Sequence, residues 1–326
     1  MNLRTELVLP RAATQMRLGS RVVTVGSCFA NVLGEQLTAN KVQTSVNPFG
    51  TVFNPLSIFK NLGMALGNDA PAEVFFVKQA DLWLHHDFHS SFWATDKDAL
   101  NERIVASLRH TRGWLLNADF VVVTLGTAWA YRHKESQRIA SNCHKVPSRA
   151  FDKQLLGVAQ IEESFADFYQ KIRLLNPNVK VILTVSPVRH TRDTLPLNAV
   201  SKAVLRLACH QITEAHQAVS YFPSYELMLD DLRDYRFYKP DLIHPNEVAE
   251  KFIFERFGEV YFEQPLQDFM ADWAKIRAAM AHRPTLETSE SYRVFLKNLL
   301  LSLEKIRSAT DLSQEFEWVN AKLRQF

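Results

Sequence analysis

The sequence predicts an α/β fold in which a mostly parallel, doubly wound sheet is followed by a helical appendage. Short apolar runs rich in β-branched residues, at 22–25, 118–125 and 179–185, have the composition of strands buried on both faces. Segments with apolar residues at helical spacing separate these runs, and such alternation is typical of parallel sheets. From about residue 264 the pattern is almost entirely helical, and residues 293–306 are strongly apolar on one side.

Taken in order, the elements divide the chain at residue 262. Residues 1–262 are predicted to form the α/β domain, and residues 263–326 a C-terminal helical extension. Strands are predicted at 22–25, 41–46, 118–125, 179–185 and 219–222, with a β-hairpin or extended excursion at 73–93. Helices are predicted at 29–37, 55–66, 98–116, 161–175 and 198–217, and from Pro245 in a first turn through 257. The polar motifs lie at or beyond strand carboxyl ends, where such sheets bind ligands.

Composition narrows the classes of protein that fit the chain. The 326 residues have 47% hydrophobic content, 22% charged residues and a net charge of +3, so the charge balance does not call for a nucleic-acid partner. The first residues lack a secretory apolar region, and no segment is long enough to span a membrane. Three cysteines without a CxxC pair favour reduced thiols over disulfides or zinc. We therefore expect a cytoplasmic protein.

Gly26, Ser27 and Cys28 connect the first predicted strand to a predicted helix. A helix N-terminus favours negative charge, so a thiol there is expected to have a lowered pKa and an oxyanion there is stabilised. This is a suitable position for a nucleophile. In the alternative interpretation Ser27 caps the helix and Cys28 is a small buried hydrophobe.

Asp241 and His244 form an Asp-x-x-His motif just before the last helix of the α/β domain. This spacing allows a short loop to hold the carboxylate against one imidazole nitrogen while the other nitrogen faces a nucleophile, as in a catalytic triad. The alternative is an ordinary capping loop. Together with a nucleophile at the first strand, the motif predicts a catalytic site built from both ends of the domain.

The five residues 26–30, GSCFA, spell the signature of the GSCFA family, and the chain resembles that family over residues 20–260. The stretches NPFGTVFNPLSI, TLGTAWAY, NCHKVP, TVSPVRH, SKAVL, YFPSYE and DDLRDYRFY strengthen the resemblance. The GSCFA family is similar in turn to the SGNH (GDSL-like) hydrolases. That resemblance implies a flavodoxin-like three-layer α/β/α sandwich and an activity of ester hydrolysis or acyl transfer.

The first SGNH block is Gly-Asp-Ser, which places Gly26 on the glycine, Ser27 on the aspartate and Cys28 on the serine nucleophile. This register favours Cys28, with Ser27 as the alternative because register across a tight turn is easily misjudged by one residue. The last block, Asp-x-x-His, is matched in full by Asp241 and His244.

The resemblance also implies an oxyanion hole that is incomplete in this sequence. Gly50 would be the second-block glycine, whose N–H donates to the oxyanion. The third block, Gly-x-Asn-Asp, falls on residues 126–129 with Thr127 in its second position, and the asparagine is replaced by Ala128. Asn142 or Asn47 could supply the missing amide, although either could equally be a turn residue.

Further candidates follow other strands. His144, in the stretch NCHKVP, is included as a substrate ligand with Asn142. Arg189 and His190 follow the fourth main strand, where a guanidinium could bind a carboxylate or phosphate. The alternative is an ion pair with Asp230, Asp231 or Asp234.

The predicted hairpin contains four residues of types that bind metal ions, namely His85, His86, Asp87 and His89. An alternating strand, however, would place His85 and Asp87 on one face and His86 on the other, which disfavours a single metal ion. We therefore predict no metal, and we expect His85, His86 and His89 to be surface or substrate-contacting residues.

Three functions fit these observations. The first is an SGNH-like esterase with an acyl-enzyme on Cys28 or Ser27, no cofactor, and an acylated substrate that is a carbohydrate by analogy with SGNH relatives. The second is an acyltransferase that uses acetyl-coenzyme A or another thioester to modify a polysaccharide or its precursor. The third is a non-catalytic binding or scaffold protein. The C-terminal helices could pack on the main domain or join two subunits of a homo-oligomer.

Overall fold

The structure is a computed structural model that describes residues 5–326. Its main sheet has five parallel strands in the order β10-β9-β5-β1-β2, the flavodoxin-like arrangement. The strands, in chain order, are β1 (Arg21–Gly26), β2 (Gln43–Val46), β3 (Phe76–Gln79), β4 (Leu82–His85), β5 (Phe120–Leu125), β6 (Trp129–His133), β7 (Ile139–Ala140), β8 (Phe151–Leu155), β9 (Lys180–Val185) and β10 (Val219–Phe222). The predicted fold class is confirmed.

The α-helices are α1 (Cys28–Ala39), α2 (Pro55–Gly67), α3 (Lys97–Leu115), α4 (Val158–Leu175), α5 (Leu195–Ala215), α6 (Ser224–Glu226), α7 (Glu247–Tyr261), α8 (Gln264–Ala281), α9 (Glu290–Ile306) and α10 (Ser313–Leu323). A π-helical turn, Leu227–Asp231, follows α6. Asn246 is the N-cap of α7, so Pro245 precedes the cap instead of occupying the first turn, which corrects that prediction. No helix of residues 5–326 is both long and apolar enough to cross a membrane.

The sheet has a hydrophobic core on each face, because successive strand residues point to opposite sides. Val23, Val25 and Val121 pack on one face against helices α2, α3, α4 and α5. Val22 and Val122 pack on the other face against α1 and α7. This two-sided burial is why the strands are continuous apolar runs, and it produces the three-layer sandwich.

Two small antiparallel sheets flank the main one. Strands β3 and β4 form the predicted hairpin. The second sheet, in the order β7-β6-β8, was not predicted. Its strand β8 has the sequence FDKQL, in which only Phe151 is buried, so the segment lacks the apolar alternation that identifies a strand.

The last three helices enclose a hydrophobic cluster of their own and attach to the end of α1. Phe269, Trp273 and Leu303 are buried within this cluster. The indole N–H of Trp273 donates to the Ala39 carbonyl at 2.8 Å. The predicted helical appendage is therefore present, with α9 presenting its apolar side to the cluster.

Candidate active site

The turn between β1 and α1 requires glycine at position 26. Gly26 has φ of +133°, and a Cβ on it would lie 2.1 Å from the Thr124 carbonyl oxygen. Its N–H donates to Asn47 Oδ1 at 2.8 Å, and its carbonyl accepts from the Val52 N–H at 2.9 Å. The neighbouring loops therefore hold the backbone just before the two candidate nucleophiles in a fixed position.

Cys28 and Ser27 differ in their access to solvent. Ser27 is the N-cap of α1, is only 1% exposed, and its hydroxyl has no hydrogen-bond partner among residues 5–326. Cys28 is the first residue of the helix and its side chain is partly exposed. The Cys28 N–H has no acceptor in the described part of the chain, so it is available at the positive end of α1. This difference favours Cys28 as the residue that meets a substrate.

The predicted lowering of the Cys28 pKa is wrong in this structure. Burial raises the pKa of the thiol, and the smaller opposing effect of its own backbone N–H does not reverse the shift. The helix terminus therefore does not compensate for the loss of water around the sulfur. Near neutral pH Cys28 is a thiol, so it needs a base before it can attack.

The Asp241–His244 loop holds such a base. His244 Nδ1 lies 2.7 Å from Asp241 Oδ2, while Asp241 Oδ1 accepts from the backbone N–H groups of Ile243 and His244. These bonds, led by the imidazole, lower the pKa of Asp241 to about 2. Because an ionised carboxylate only accepts, Nδ1 donates to it, and Nε2, which has no hydrogen-bond partner among the described residues, is the nitrogen that can act as base.

The loops that carry the candidate nucleophile and this base are connected through neighbouring residues beyond the carboxyl ends of the strands. The Phe53 carbonyl accepts from the N–H groups of Gly126 and Thr127, next to the Val52 bond to Gly26. The Phe53 ring packs edge-on against His190 with ring centroids 5.5 Å apart. His190 in turn is close enough to His244 for the two imidazoles to interact electrostatically. A continuous series of neighbours thus joins the β1–α1 turn to the Asp241–His244 loop.

The loop after β2 does not offer the oxyanion donors that the sequence predicted. Both amide protons of Asn47 are used, towards Asn31 Oδ1 at 2.6 Å and the Ser27 carbonyl at 3.4 Å. The Gly50 N–H donates to the Asn47 carbonyl at 2.7 Å. Asn47 is therefore a turn residue that ties two loops together, and Gly50 contributes a tight turn with φ of +69°.

The third block contains a buried hydroxyl network and a buried lysine. Thr127 Oγ1 lies 3.0 Å from Ser201 Oγ, which also accepts from the Ala128 N–H at 2.7 Å. Lys202, fully buried, donates to the carbonyls of Gly126 and Ser186 at 2.8 and 2.7 Å. Burial lowers the pKa of Lys202 to about 7. This lysine was not predicted as a site residue, and its place in the SKAVL stretch was the only signal for it in the sequence.

Asn142 and His144 lie in a loop beside the β3–β4 hairpin. Asn142 Oδ1 accepts from the His144 N–H at 2.9 Å, which is a local turn, and His86 Nδ1 lies 2.7 Å from the Asn142 carbonyl. His144 is buried, with Nε2 2.9 Å from the His85 carbonyl. No contact among the described residues joins either side chain to Cys28 or His244. Their substrate-binding role stays a prediction.

His85 and His86 are buried, which corrects the expectation that they face solvent or substrate, whereas for the half-buried His89 that role stays a prediction. His85, His86 and Asp87 are all buried, and Asp87 forms an ion pair with Lys60. Burial lowers the pKa of His85 to about 4, so its ring is neutral. His89 is half-buried, and its Cβ lies against Gly50. Within residues 5–326, no group of three or more His, Cys, Asp or Glu side chains is placed to hold a metal ion.

Arg189 and His190 lie beside the Asp241–His244 loop. Burial lowers the pKa of His190 to about 4, and Lys202 adds to the shift, so the ring is neutral and His190 is a poor alternative base. The Arg189 N–H donates to the Ile243 carbonyl at 3.2 Å. Arg189 makes no ion pair with Asp230 or Asp234; its guanidinium lies over the Tyr238 ring, 4.1 Å from the centroid. Among the described residues, the alternative of an ion pair with Asp230 or Asp234 is therefore wrong, and an ion pair with Asp231 stays a prediction.

Two family models match this chain. The model described as the GSCFA family matches residues 21–257, which include the whole main sheet. The chain belongs to the GSCFA family. A model described as GSCFA domain protein, C-terminal domain, matches residues 273–325, within the helical appendage of this GSCFA protein. No curated protein matches this chain.

Three solved structures have a distant similarity to the GSCFA chain. One is a carbohydrate esterase family 2 enzyme plus carbohydrate-binding domain from Corynascus thermopiles (Myceliophthora fergusii), with 14% identity, coverage of 81% of this chain and 69% of that one, and a TM-score of 0.39. A putative platelet activating factor from Streptococcus pneumonia has 10% identity, 77% and 84% coverage, and a TM-score of 0.38. A carbohydrate esterase family 3 protein from Talaromyces cellulolyticus has 14% identity, 78% and 99% coverage, and a TM-score of 0.35. Such distant similarity does not indicate what the GSCFA chain acts on.

Proposed function

We propose that this protein hydrolyses acyl esters through an acyl-enzyme on Cys28. The observation that carries the proposal is the pairing of His244 with Asp241 at the sheet edge where Cys28 begins α1. His244 and Asp241 side chains are 38% and 45% exposed, so a substrate can reach the imidazole. An oriented base beside a nucleophile at a helix N-terminus is the arrangement that acyl transfer requires.

In the proposed mechanism His244 Nε2 takes the thiol proton as Cys28 Sγ attacks the ester carbonyl carbon. The tetrahedral intermediate collapses when the bond to the alcohol oxygen breaks and His244 returns the proton to that oxygen. A water molecule, deprotonated by His244, then attacks the thioester and releases the carboxylic acid and the free thiol. Asp241 stabilises the imidazolium that forms in each half-reaction.

The oxyanion is assigned to the free Cys28 N–H and the positive end of α1. The Gly50 N–H would join it only by giving up its bond to the Asn47 carbonyl. Since loss of one oxyanion donor typically costs about 3 kcal/mol in barrier, we expect slow turnover unless a substrate-induced movement supplies a second donor.

Hydrolysis of p-nitrophenyl acetate by C28A, S27A and H244A variants tests the proposal. We expect C28A and H244A to lower kcat/KM by at least about 10³-fold, because each removes a reacting group. S27A is expected to lose far less, since its hydroxyl is buried. Acylation of intact protein, followed by mass spectrometry, should locate the acetyl group on Cys28. Full activity in C28A would overturn the assignment, and thermal melting checks that each variant is folded.

The non-catalytic alternative is favoured by one observation, the raised pKa of the Cys28 thiol. A binding protein would show slow thiol labelling at all pH values below that pKa, with no effect of H244A. An enzyme should instead show a Cys28 labelling rate that falls in H244A, because the imidazole assists ionisation. C143A and C209A backgrounds restrict the label to Cys28.

Acyl transfer from a thioester stays a prediction, with coenzyme A as the co-substrate that it would need. A thermal shift with coenzyme A or acetyl-coenzyme A would favour transfer over hydrolysis. A cytoplasmic location likewise stays a prediction from the sequence.

A further inference from the structure

A cleft of about 350 Å³ lies next to the Asp241–His244 loop. Its walls share backbone contacts with that loop: the Arg189 N–H donates to the Ile243 carbonyl, and Tyr238 pairs with Pro245 in an isolated antiparallel bridge. A ligand in this cleft would therefore sit beside the backbone of the loop that carries His244. The volume is near the lower end of the range of about 300–1,000 Å³ for ligand pockets, so the cleft has room for one small ring.

Arg189 presents hydrogen-bond donors to this cleft. Its guanidinium lies 4.1 Å from the centroid of the Tyr238 ring and 5.4 Å from that of Tyr235, so two aromatic rings fix its position. Asp230 and Asp234, the carboxylates that line the cleft, form no ion pair with it; besides its contact with Tyr238, it donates to the Leu242 carbonyl at a long 3.5 Å. Most of its five N–H donors therefore remain for a ligand.

Tyr238 adds a second polar group at the cleft. The residue is only 7% exposed; burial raises the pKa of its hydroxyl, and the charge of Arg189 and a hydrogen bond from its side chain oppose that shift. Because a guanidinium group can only donate, the hydroxyl proton itself has no acceptor among the described residues. A ligand oxygen atom could accept this proton.

The charges around the cleft favour a neutral ligand. Two guanidinium groups, Arg189 and Arg233, are balanced by two carboxylates, Asp230 and Asp234, all of which line it. Guanidinium groups only donate hydrogen bonds and carboxylates only accept them, whereas a hydroxyl group does both. A ligand with several hydroxyl groups can therefore use both kinds of wall. Tyr235 is 64% exposed at the same cleft, so its ring offers an apolar surface to one face of a ligand ring.

We propose that this cleft binds a neutral sugar ring, which is the alcohol part of the ester whose acyl group is attacked by Cys28. The inference rests on the proposed function for the acyl part, and it adds the class of substrate. Arg189 and Tyr238 bond the hydroxyl groups, Tyr235 stacks on the ring, and Asp230 accepts from hydroxyl groups on the other side.

The test compares two esters and one ligand that is not an ester. For the wild-type protein, kcat/KM is measured with an acetylated methyl glucoside and with p-nitrophenyl acetate, and binding of methyl glucoside is measured by titration calorimetry. We expect Y235A and R189M to lower the ratio of the two kcat/KM values by about tenfold, mainly through KM for the sugar ester. The matched control is R192M, because Arg192 is exposed nearby but does not line the cleft. It should keep the ratio.

The outcomes separate the two proposals. An unchanged ratio in both Y235A and R189M, or no binding of methyl glucoside by the wild type, would overturn the sugar site. Binding of methyl glucuronide at least tenfold tighter than methyl glucoside would overturn the neutral ligand in favour of an acidic one. Binding of methyl glucoside by a protein that hydrolyses neither ester would support the sugar site and overturn the proposed function.

Discussion

Gly26 determines whether the turn before Cys28 can form. A Cβ at this position would contact the Thr124 carbonyl at 2.1 Å, and the φ of +133° is unfavourable for any other residue. We expect G26A to lower the free energy of unfolding by at least about 2 kcal/mol, from backbone strain and overpacking. Urea denaturation measures this change.

The control is G113A in α3, where nothing lies within 4 Å of an added Cβ. There alanine should stabilise the protein by about 0.5–1 kcal/mol, because the residue lies inside a helix. Equal effects of the two substitutions would show that the turn does not need glycine.

Asp241 is expected to hold His244 in place over almost the whole working pH range. Its pKa is lowered to about 2, so any stability from this carboxylate is complete above its ordinary pKa near 4 and is lost only as the pH falls through about 2. The pH profile of kcat/KM between 5 and 9 should therefore show no ionisation of Asp241.

The D241N variant keeps the size of the side chain but removes its charge. We expect kcat/KM for p-nitrophenyl acetate to fall by about 10²–10⁴-fold, because an amide can favour the wrong imidazole tautomer. A fall of less than threefold would contradict an orienting role for Asp241. The melting temperature should change little, because both side chains are substantially exposed.

At the residue scale, the sequence indicated which residues to consider for the candidate site, but not their pKa values or hydrogen-bond partners. Asp241 and His244 were predicted from their spacing, and Cys28 from its position after the first strand and from the register that the family resemblance implies; their catalytic roles stay predictions. The pKa of Cys28 was predicted in the wrong direction because burial of the sulfur depends on packing from distant segments. The bonds that use the Asn47 amide and the Gly50 N–H depend on loop geometry, which composition does not define.

Among the elements, β5 and β9 are joined at their carboxyl ends by Lys202 of α5. Because burial lowers the pKa of this lysine to about 7, the unfolded chain binds more protons than the folded protein between pH 7 and about 10. The free energy of unfolding of the wild type should therefore rise with pH relative to K202M, by up to about 1.4 kcal/mol per pH unit.

Urea denaturation of both proteins at pH 6, 8 and 10 measures this difference. The matched control is K297M, since Lys297 is exposed on α9 and its removal should leave the pH dependence unchanged. A difference between wild type and K202M that stays constant from pH 6 to pH 10 would contradict a buried lysine that loses its proton in this range.

Strands that are buried on both faces were predicted correctly from the sequence. Strands β1, β5 and β9 are buried on both faces, so their apolar runs identify them directly. Strand β8 was missed because its residues are mostly polar, and its stability comes from pairing with β6. That pairing can be seen only in the folded structure.

At the scale of the whole molecule, the helical appendage is attached to the sandwich through Trp273. Its indole donates to the Ala39 carbonyl, its ring lies parallel to Phe269 with centroids 6.4 Å apart, and the Lys41 ammonium lies 5.1 Å from its centroid. We expect W273A to lower the free energy of unfolding by about 3–5 kcal/mol. L286A, at a 59% exposed position of the same appendage, should change it by less than about 0.5 kcal/mol.

Chemical denaturation of W273A and L286A tests whether the attachment matters. Similar small effects in both variants would mean that the appendage contributes little to the stability of the sandwich. Assembly of a homo-oligomer through these helices stays a prediction, which light scattering of the intact chain would test.

Helix α1 has Cys28 as its first residue and Ala39, the acceptor of the Trp273 indole, as its last. Eleven residue steps at 1.5 Å place the two ends about 17 Å apart along one stiff rod. A displacement of the Ala39 end along the helix axis would therefore also displace the Cys28 thiol. On heating, we then expect ester hydrolysis to be lost at a temperature at which the circular dichroism spectrum still shows a folded protein.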